Sequence, residues 1–418
     1  MKPLPRTSVD SFILTVPVAL ACTAAQGICA EGWDFSLTEG LRLESQDEKW
    51  KFHFGGVYAV QYMHHDEHKD PPSGVYMPIA KPILEGSYDD AWRFRIAGDL
   101  KGANTSHNLY EAFVSWEELS WLRLSAGLMP LPLGLENGYY LENLSSITHA
   151  YGYYIDYGSD WALRAEGQHG EGLIEWDAAF GIGEGFDANG NNVMGPRLSG
   201  RIFTKPLRSW VEPDASWFKR IAGGVFGGVG YLHSWDWDGE LLIRDPAGTR
   251  MFDTIDFKAD SVQFFTYTCG FEVGPVRAYM DDTFGGYNGA DTPVGKRDLR
   301  TSETTSWQAT LSWMITGEHY DGRIFSQNSV KPPGPNAWEI AIRYSNADID
   351  RDFYNFGLTD YTQSSQEFRS QTATLNWYAT ENLRMSVSVV RIIADDDIEA
   401  LDEGGRDTIA IFRLQYRF

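Results

Sequence analysis

The last ten residues of the chain, 409–418, read IAIFRLQYRF and alternate between two kinds of side chain. Large apolar groups, from Phe412 to the terminal Phe418, occupy one set of alternate positions, and polar groups such as Arg413 occupy the other. Successive side chains of a β-strand point to opposite faces, so this pattern predicts a strand with one apolar and one charged face. A strand half buried against a soluble core would show the same pattern, so the rest of the chain must decide.

The start of the chain has the features of a secretory signal peptide. A positively charged beginning precedes the apolar run FILTVPVALACTAA, and small residues follow it. The run is too short to span a bilayer as a helix. We predict that residues 1–30 are a signal peptide, cleaved after Ala25 or Ala30, and that residues 31–418 form the exported domain.

The exported domain is acidic and nearly free of cysteine. The whole chain carries a formal net charge of −23, and removal of the leader makes the remainder one unit more negative. Such a charge argues against nucleic acid as a partner. Two of the three cysteines lie in the leader, which leaves Cys269 without an intramolecular disulfide partner.

Short segments of alternating polarity recur along the exported domain. In one of them, Trp338 and Ile340 share a face, whereas Glu339 and Arg343 share the other. This period of two, with few helical periods, predicts an all-β fold. We predict sixteen strands, near 49–64, 74–87, 91–101, 107–117, 121–130, 158–168, 171–183, 195–207, 218–234, 258–273, 274–286, 302–317, 336–347, 369–380, 382–394 and 406–418.

The connections between these segments alternate between short and long. Turns after even-numbered strands are brief, as at 88–90 and Gly274-Pro275, whereas connections after odd-numbered strands include 131–157 and 287–301. Residues 318–335 are long where a turn is expected. Bacterial outer-membrane barrels have short periplasmic turns and longer outer loops. We therefore predict a transmembrane antiparallel β-barrel of about 16 strands, with lipid outside and water inside, whose terminal aromatic strand is read by the barrel-insertion machinery.

Several sequence words resemble the phosphate-selective porin O and P family. They are MPIAKPILEG (77–86), GLMPLPLGLE (127–136), LSWMITGEHY (311–320), NAWEIAIRYSNADI (336–349), LNWYATENLRM (375–385) and FRLQYRF (412–418). Together, ITGE-x-Y, AWE-x-x-x-RYS and LNWY are fairly specific. The resemblance implies a homotrimeric porin in the outer membrane of a Gram-negative bacterium, with a pore in each subunit narrowed by a third loop that 131–157 matches in order and length.

The family's passive passage of phosphate or polyphosphate depends on lumenal lysines and arginines, and this chain departs from that pattern. Where the family often has an Arg-Arg-Ala-Arg run, residues 78–81 read PIAK, so Lys81 is the only positive charge there. The family's lysine before the third loop aligns with Pro130. Diffusion of small hydrophilic solutes or ions is implied, and anion-selective, cation-preferring and general diffusion all remain open.

Basic residues recur on the polar face of the predicted strands. We predict that the pore is lined by Lys81, Arg93, Arg95, Arg123, Arg164, Arg197, Arg201 and Arg277. Acidic residues share this face, which favours salt bridges that support the wall over a dedicated anion ladder. Acidic outer loops such as 392–404 would concentrate cations at the mouth. The predicted constriction-loop residues are Glu136, Tyr139, Tyr140 and Tyr154.

No catalytic or cofactor motif stands out in the chain. The histidines of HHDEHKD (64–70) lie on an extended stretch without fixed geometry, so no metal site is predicted. No cofactor is predicted, and the chain is expected not to be an enzyme. Ser146 and His149 in the third loop leave a barrel lipase as an alternative, although no acidic orienter is identifiable from the sequence.

Overall fold

Strands dominate the computed structural model, which describes residues 33–36, 40–65, 72–100, 109–136, 140–155, 158–170, 172–183, 195–208, 217–245, 248–320, 333–396, 398, 401 and 405–418. The predicted signal peptide and Tyr139 lie outside these residues. The strands are β1 (Trp33–Ser36), β2 (Leu41–Ser45), β3 (Trp50–His65), β4 (Gly74–Tyr88), β5 (Trp92–Gly98), β6 (Leu109–Leu119), β7 (Leu122–Pro130), β8 (Ser159–His169), β9 (Ile174–Gly181), β10 (Arg197–Thr204), β11 (Val225–Gly239), β12 (Leu242–Arg244), β13 (Arg250–Asp253), β14 (Phe257–Val273), β15 (Val276–Thr292), β16 (Gly295–Met314), β17 (Ala337–Asp348), β18 (Glu367–Tyr378), β19 (Leu383–Ala394) and β20 (Arg406–Arg417). The helices are α1 (Tyr151–Ile155), α2 (Trp217–Gly224) and α3 (Asp352–Asn355).

Sixteen of these strands, β3 to β11 and β14 to β20, form one closed sheet. Each pairs antiparallel with its neighbour along the chain. The last strand returns to the first, with Arg417 opposite Val57 and Ile409 opposite His65. The predicted sixteen-stranded antiparallel barrel is therefore confirmed. β1 and β2 add to the edge of β3, and β12 pairs with β13 in a separate hairpin.

The alternation along each strand sorts side chains between the two faces of the barrel. On β17, Trp338 and Ile342 are exposed on the outside, whereas Glu339 and Arg343 are buried inside. β20 repeats the pattern, with Phe412 outside and Arg413 inside. A band of exposed large apolar groups around a charged interior is the arrangement that lipid outside and water inside require. No helix in the described ranges is both long enough and apolar enough to cross a membrane.

The short turns identify one end of the barrel as periplasmic. β4 and β5 are joined by 89–91, and β14 and β15 by Gly274-Pro275. The expected exception is present, because β16 and β17 are separated by 315–336. A second long connection lies between β10 and β11 at the same end, which the sequence pattern did not predict.

Part of this second connection is helical where a strand was predicted. The predicted strand 218–234 begins at Val225, and α2 occupies the residues before it. Lys219 and Arg220 are both exposed, and Ile221 and Ala222 after them are both half-buried. Adjacent residues with the same exposure are incompatible with the alternation of a strand and fit a helical period.

The predicted outer loop 287–301 is also wrong, because β15 and β16 continue through it. The strands meet at a two-residue turn, Pro293-Val294. The Thr292 hydroxyl donates to the Gly295 carbonyl at 2.6 Å, and Gly295 has φ +100°, which suits glycine. The Gly, Asn and Asp content of the segment indicated a loop, but β-bulges around Tyr287 accommodate it within the ladder.

Apolar side chains fill much of the interior in the outer half of the barrel. Phe252 and Phe353, which come from outer connections, are fully buried against inward-facing strand residues such as Phe368 and Ile409. Backbone bonds tie the connections to one another, as in Ile255 N to Leu358 O at 2.9 Å. This outer apolar cluster therefore packs several outer loops against the inner wall.

Candidate functional site

The third outer loop, 131–157, enters the barrel, and its described residues are bound to the inner wall. Near the start of the loop, Arg201 of β10 donates from Nη1 to the Gly134 carbonyl at 2.7 Å. The Leu135 amide donates to Asp281 Oδ2 of β15 at 3.0 Å. The loop therefore crosses the lumen from the strand that it leaves towards the opposite wall.

Glu136 forms a second attachment in the middle of the lumen. It is ion-paired with Arg343 of β17, and it accepts bonds from Tyr279 Oη at 3.0 Å and from the Ala150 amide at 2.9 Å. Burial alone would raise the pKa of Glu136, but Arg343 and His149 hold that pKa at about 2. An ionised carboxylate thus binds two parts of the loop to two strands.

The tip of the loop reaches the last two strands. Arg384 of β19 donates from Nη1 to the Leu144 carbonyl at 3.0 Å. Arg417 of β20 donates from Nη2 to Asn143 Oδ1 at 2.6 Å. The described residues of the loop are consequently held by β10, β15, β17, β19 and β20, so the loop spans the interior.

Lys81 lies beside this tip and has its charge compensated. Its Nζ is 3.1 Å from Glu142 Oε1, and it lies 4.0 Å and 4.4 Å from the ring centroids of Tyr110 and Tyr140. The two rings and the carboxylate together enclose the ammonium group. Burial works against the ionised form of Glu142, but Lys81 keeps the pKa of that carboxyl below its usual value. Burial raises the pKa of Tyr140 well above its usual value, so its hydroxyl stays neutral.

Most of the predicted arginines belong to a continuous ion-pair network on the inner wall. The network, called here the charge chain, crosses β5 to β10 with one or two residues per strand and alternates in sign. Its links are Arg93–Glu117 at 3.0 Å, Glu117–Arg123 at 2.7 Å, Arg123–Glu166 at 2.5 Å, Glu166–Arg164 at 2.8 Å, Arg164–Asp177 at 2.8 Å and Asp177–Arg201 at 3.2 Å. Each arginine therefore faces at least one carboxylate.

The other predicted basic residues also have acidic neighbours. Arg95 donates from Nε to Glu111 Oε2 at 2.8 Å and contacts Glu85. The remaining two pairs are Arg197 with Asp160 at 3.9 Å and Arg277 with Glu272. The structure thus brings all eight residues to the interior wall with carboxylates beside them. Of the predicted loop tyrosines, Tyr139 is outside the described residues, and of Tyr154 only the backbone, within α1, is described.

Three arginines that were not selected from the sequence differ from these. Arg384, Arg413 and Arg417, called here the basic face, have no carboxylate within 4 Å in the described part of the chain. Arg413 donates from Nε and Nη2 to Gln61 Oε1 at 3.1 Å and 2.7 Å. Arg384 donates from Nη2 to Gln415 Oε1 at 3.1 Å. Amide oxygens satisfy donors but leave the net charge in place.

A signal for the basic face was present in the sequence. The alternation assigns all three arginines to the polar side of the last two strands. The inward positions of β19 and of the periplasmic half of β20 contain no acidic residue. The first inward acid is Asp407, at the outer end, where it bonds to His65 at 2.8 Å. Counting inward charges strand by strand would have separated these arginines from the compensated ones.

A cavity of about 140 Å³ lies against the periplasmic side of the loop tip. Its lining includes Glu85 of β4, Arg95 of β5, Arg417 of β20 and Glu142 of the loop, together with Tyr140. Charged groups from three strands and the loop therefore meet around one water-sized to solute-sized space, which marks this level of the lumen as the candidate functional site.

The two other groups weighed from the sequence are separated or rearranged. His64 is exposed on the outer face and His65 is buried on the inner face, while His68 is outside the described residues. No cluster of three potential metal ligands occurs in the ranges that the structure covers. Ser146 is 1% exposed, and no hydrogen bond joins it to His149, whose ring stacks on another loop residue. Burial lowers the pKa of His149 although Glu136 lies 3.6 Å away.

Comparison with known proteins shows that the chain is similar to porins in sequence and in fold. The sequence model of the family "Phosphate-selective porin O and P" matches residues 286–418. Porin O of Pseudomonas aeruginosa is 22% identical over 449 positions, which cover 96% of this chain and 97% of the relative. An anion-selective porin from Comamonas acidovorans superimposes with a TM-score of 0.55 at 10% identity, over 88% of this chain and 100% of that chain. The trimer form of OmpT from Vibrio cholerae gives 0.51 at 8% identity, over 88% and 100%.

Proposed function

On the premise that this chain is an outer-membrane porin related to the phosphate-selective porin O and P family, we propose that it conducts small hydrophilic solutes passively and prefers anions. The observation that carries the preference is the sorting of the interior charges. Acidic partners compensate the charge chain, whereas the basic face keeps three positive charges beside the loop tip.

Position makes this charge effective for selectivity. An ion that enters a narrow, partly dehydrated pore loses hydration energy, and a fixed opposite charge offsets that loss. Alternating charges a few ångströms apart largely cancel at the distance of a permeating ion, because each attraction is accompanied by a comparable repulsion. The three like charges of the basic face have no carboxylate within 4 Å among the described residues, so they cancel less completely. The basic face therefore sets the sign of the field at the loop tip.

The third loop supplies the narrow passage in this proposal. Its attachments to several strands keep the described residues of 131–157 inside the barrel rather than at its mouth. Glu136 is buried at one of these attachments, so it shapes the loop rather than presents a free group to solutes. Tyr140 is also buried but lines the cavity at the loop tip. The eight basic residues predicted from the sequence then support the wall, and the loop tip with the basic face is where ions are discriminated.

Assembly as a homotrimer is part of the proposal. It is supported by the structural likeness to an outer-membrane protein of Vibrio cholerae solved in a trimer form. Chemical cross-linking of the purified protein in detergent should give a ladder that ends at three subunits. A ladder that ends at one or two would contradict the trimer and leave the channel proposal intact.

A cation-preferring or general diffusion porin is the second candidate, because the outer rim is acidic. Asp348 of β17 lies opposite Glu367 of β18, and the Asp395 amide donates to the Glu367 carbonyl at 2.9 Å. Three carboxylates therefore gather at one edge of the mouth. A negative mouth concentrates cations within about a Debye length, roughly 8–10 Å. The two candidates thus rest on electrostatic potentials of opposite sign at different depths of the pore, negative at the outer mouth and positive at the loop tip.

The zero-current potential in a planar bilayer under a potassium chloride gradient tests the proposal. We expect the unmodified protein to give a zero-current potential of the sign that indicates anion selectivity. In the Arg384→Gln/Arg413→Gln variant this potential should shift in the direction of cation selectivity. Arg406→Gln is the matched control, since Arg406 carries the same charge on β20 but is exposed on the outside. A cation-favouring potential of the unmodified protein would overturn the anion preference. Titration with phosphate then shows whether phosphate blocks the current, as its high-affinity binding in the pore would require.

A barrel enzyme remains as a rival of another class. Ser146 and His149 are both buried in the third loop. An esterase assay on the purified protein, with Ser146→Ala as control, separates the two classes. Hydrolysis that the substitution abolishes, in a protein without ion conductance, would replace the porin proposal.

A further inference from the structure

Three sequence words that are far apart in the chain meet at one carboxylate, that of Glu339 on β17. Glu339 is the acid of AWE-x-x-x-RYS. Tyr320, the last residue of ITGE-x-Y, donates to Glu339 Oε1 at 2.8 Å. Asn376 and Tyr378 of LNWY donate to Glu339 Oε2 at 3.0 Å and 2.7 Å. The words on which the family resemblance rests therefore describe one site in space.

The fourth donor to this carboxylate comes from the third loop. Ser145 Oγ donates to Glu339 Oε1 at 2.6 Å. The Ser145 carbonyl accepts a second bond, from Asn376 Nδ2 at 2.8 Å. Both the side chain and the backbone of Ser145 are thus fixed to the wall. Glu339 is 0% exposed. In the described ranges it has no cationic group within 4 Å, so neutral donors alone stabilise its charge.

The same inward face of β17 holds the loop at two further positions. Arg343 donates from Nη1 to the Thr148 carbonyl at 2.5 Å. Ser345 accepts a bond from the Tyr151 amide at 3.1 Å. Residues 145, 148 and 151 of the loop are therefore matched in order to 339, 343 and 345 of the strand. One strand serves as the docking surface for this part of the loop.

We infer that Glu339 is the positioning residue of the constriction. It holds Ser145 against the wall and joins it to Tyr320, which belongs to the periplasmic segment after β16. The inference rests on the proposed function, in which the third loop restricts the pore. Glu339 acts through the loop and does not contact the permeating ion. Its loss should therefore change how stably the loop is docked in the pore, and should leave the ion selectivity of the pore unchanged.

Single-channel recording on the full-length Glu339→Gln variant tests this inference. The uncharged amide weakens all four bonds and carries a donor of its own, so we expect the undocked loop to become about tenfold more populated. The current should then switch frequently between conductance levels, while the zero-current potential stays close to that of the unmodified protein. Glu318→Gln is the control, because Glu318 is half-buried in the same periplasmic segment and, among the described residues, bonds only to Thr316 two positions before it.

A double-substitution cycle shows whether Glu339 acts through Ser145. Ser145→Ala should also make the current switch, and Ser145→Ala/Glu339→Gln should be no worse than Glu339→Gln alone. Additive effects, or a quiet current in Glu339→Gln, would overturn the inference. Where Glu339→Gln lacks a heat-modifiable folded band, Tyr320→Phe and Tyr378→Phe each remove one donor and keep the carboxylate. A steady current in both variants would overturn the inference equally.

The two proposals fail in distinguishable ways. If the unmodified protein carries no current, the proposed function is wrong. If it conducts steadily and the Glu339→Gln variant conducts in the same way, only the positioning role is wrong. The heat-modifiable gel shift, measured on every variant, reports barrel closure separately from both.

Discussion

Glu136 links the charge state of a single residue to the docking of the third loop. A glutamate has an ordinary pKa of 4.5, and Glu136 is held at about 2 in the folded protein. The folded state thus binds its proton less tightly than the unfolded chain does. The contribution of Glu136 to stability is complete above about pH 4.5 and is lost as the pH falls towards about 2.

This gives a prediction for acid sensitivity. The temperature at which the folded band converts to the unfolded band on a gel should fall between pH 4.5 and pH 2. In Glu136→Gln the same interval should produce a smaller fall, because the substituted side chain has no proton to gain. Gel transitions measured at half-unit pH steps check this. Parallel curves for the two proteins would show that Glu136 does not contribute.

Single residues also show which features of the site could be predicted from the sequence alone. The period of two correctly assigned Arg343 and Arg413 to the interior, because a strand's faces follow from its alternation. It could not show that Lys81 is compensated, since its partner Glu142 lies on the loop, far along the chain. Whether an interior arginine keeps a free charge depends on which strands lie side by side. That information comes only from the tertiary structure.

Among the elements, β11 lies in close contact with the start of the third loop. A methyl group on Gly230 would lie 2.1 Å from the Leu133 carbonyl oxygen. No side chain fits at that distance, so the absence of one at Gly230 lets the loop backbone lie against the strand.

We therefore expect Gly230→Ala to displace the start of the loop and not to prevent barrel closure. Single-channel conductance should change, while the heat-modifiable shift on a gel is retained. Gly227→Ala on the same strand is the control, because a methyl there would meet its nearest atom at 3.5 Å, an ordinary contact. Equal conductance in the two variants would contradict the close approach as a determinant of the pore.

The sequence pattern predicted the limits of some elements more accurately than those of others. β17 and β20 lie within one residue of their predicted limits, because both of their faces have an obvious environment, lipid or lumen. α2 was missed because it lies outside the membrane band, where no alternation is imposed. The turn between β15 and β16 was overestimated because small and polar residues that mark loops also occur in bulged strands beyond the bilayer.

On the scale of the whole molecule, the outer band of apolar side chains requires a lipid environment, and the cost of a charge there depends on depth. Ile342 lies in the middle of β17 and is 54% exposed. Ile315 follows β16 at the periplasmic end and is 46% exposed. The two positions match in size and exposure and differ in height.

Ile342→Arg should lower the free energy of unfolding by about 2–4 kcal/mol, and Ile315→Arg by about 0–1 kcal/mol. Urea titration of the protein in lipid vesicles, followed by tryptophan fluorescence, measures both. Equal costs at the two positions would contradict the assignment of the barrel's midplane.

The order of the chain gives the loop attachments a consequence for biogenesis. Ser145 and Glu339 are 194 residues apart, and Leu144 and Arg384 are 240 apart. The loop is made early, whereas the strands that hold its tip are made last. A barrel that lacks its last two strands therefore also lacks these attachments of the loop tip. The final β19–β20 hairpin both closes the sheet and binds the tip of the third loop. A premature stop near the C-terminus would therefore leave the barrel open and the loop tip detached from these two strands.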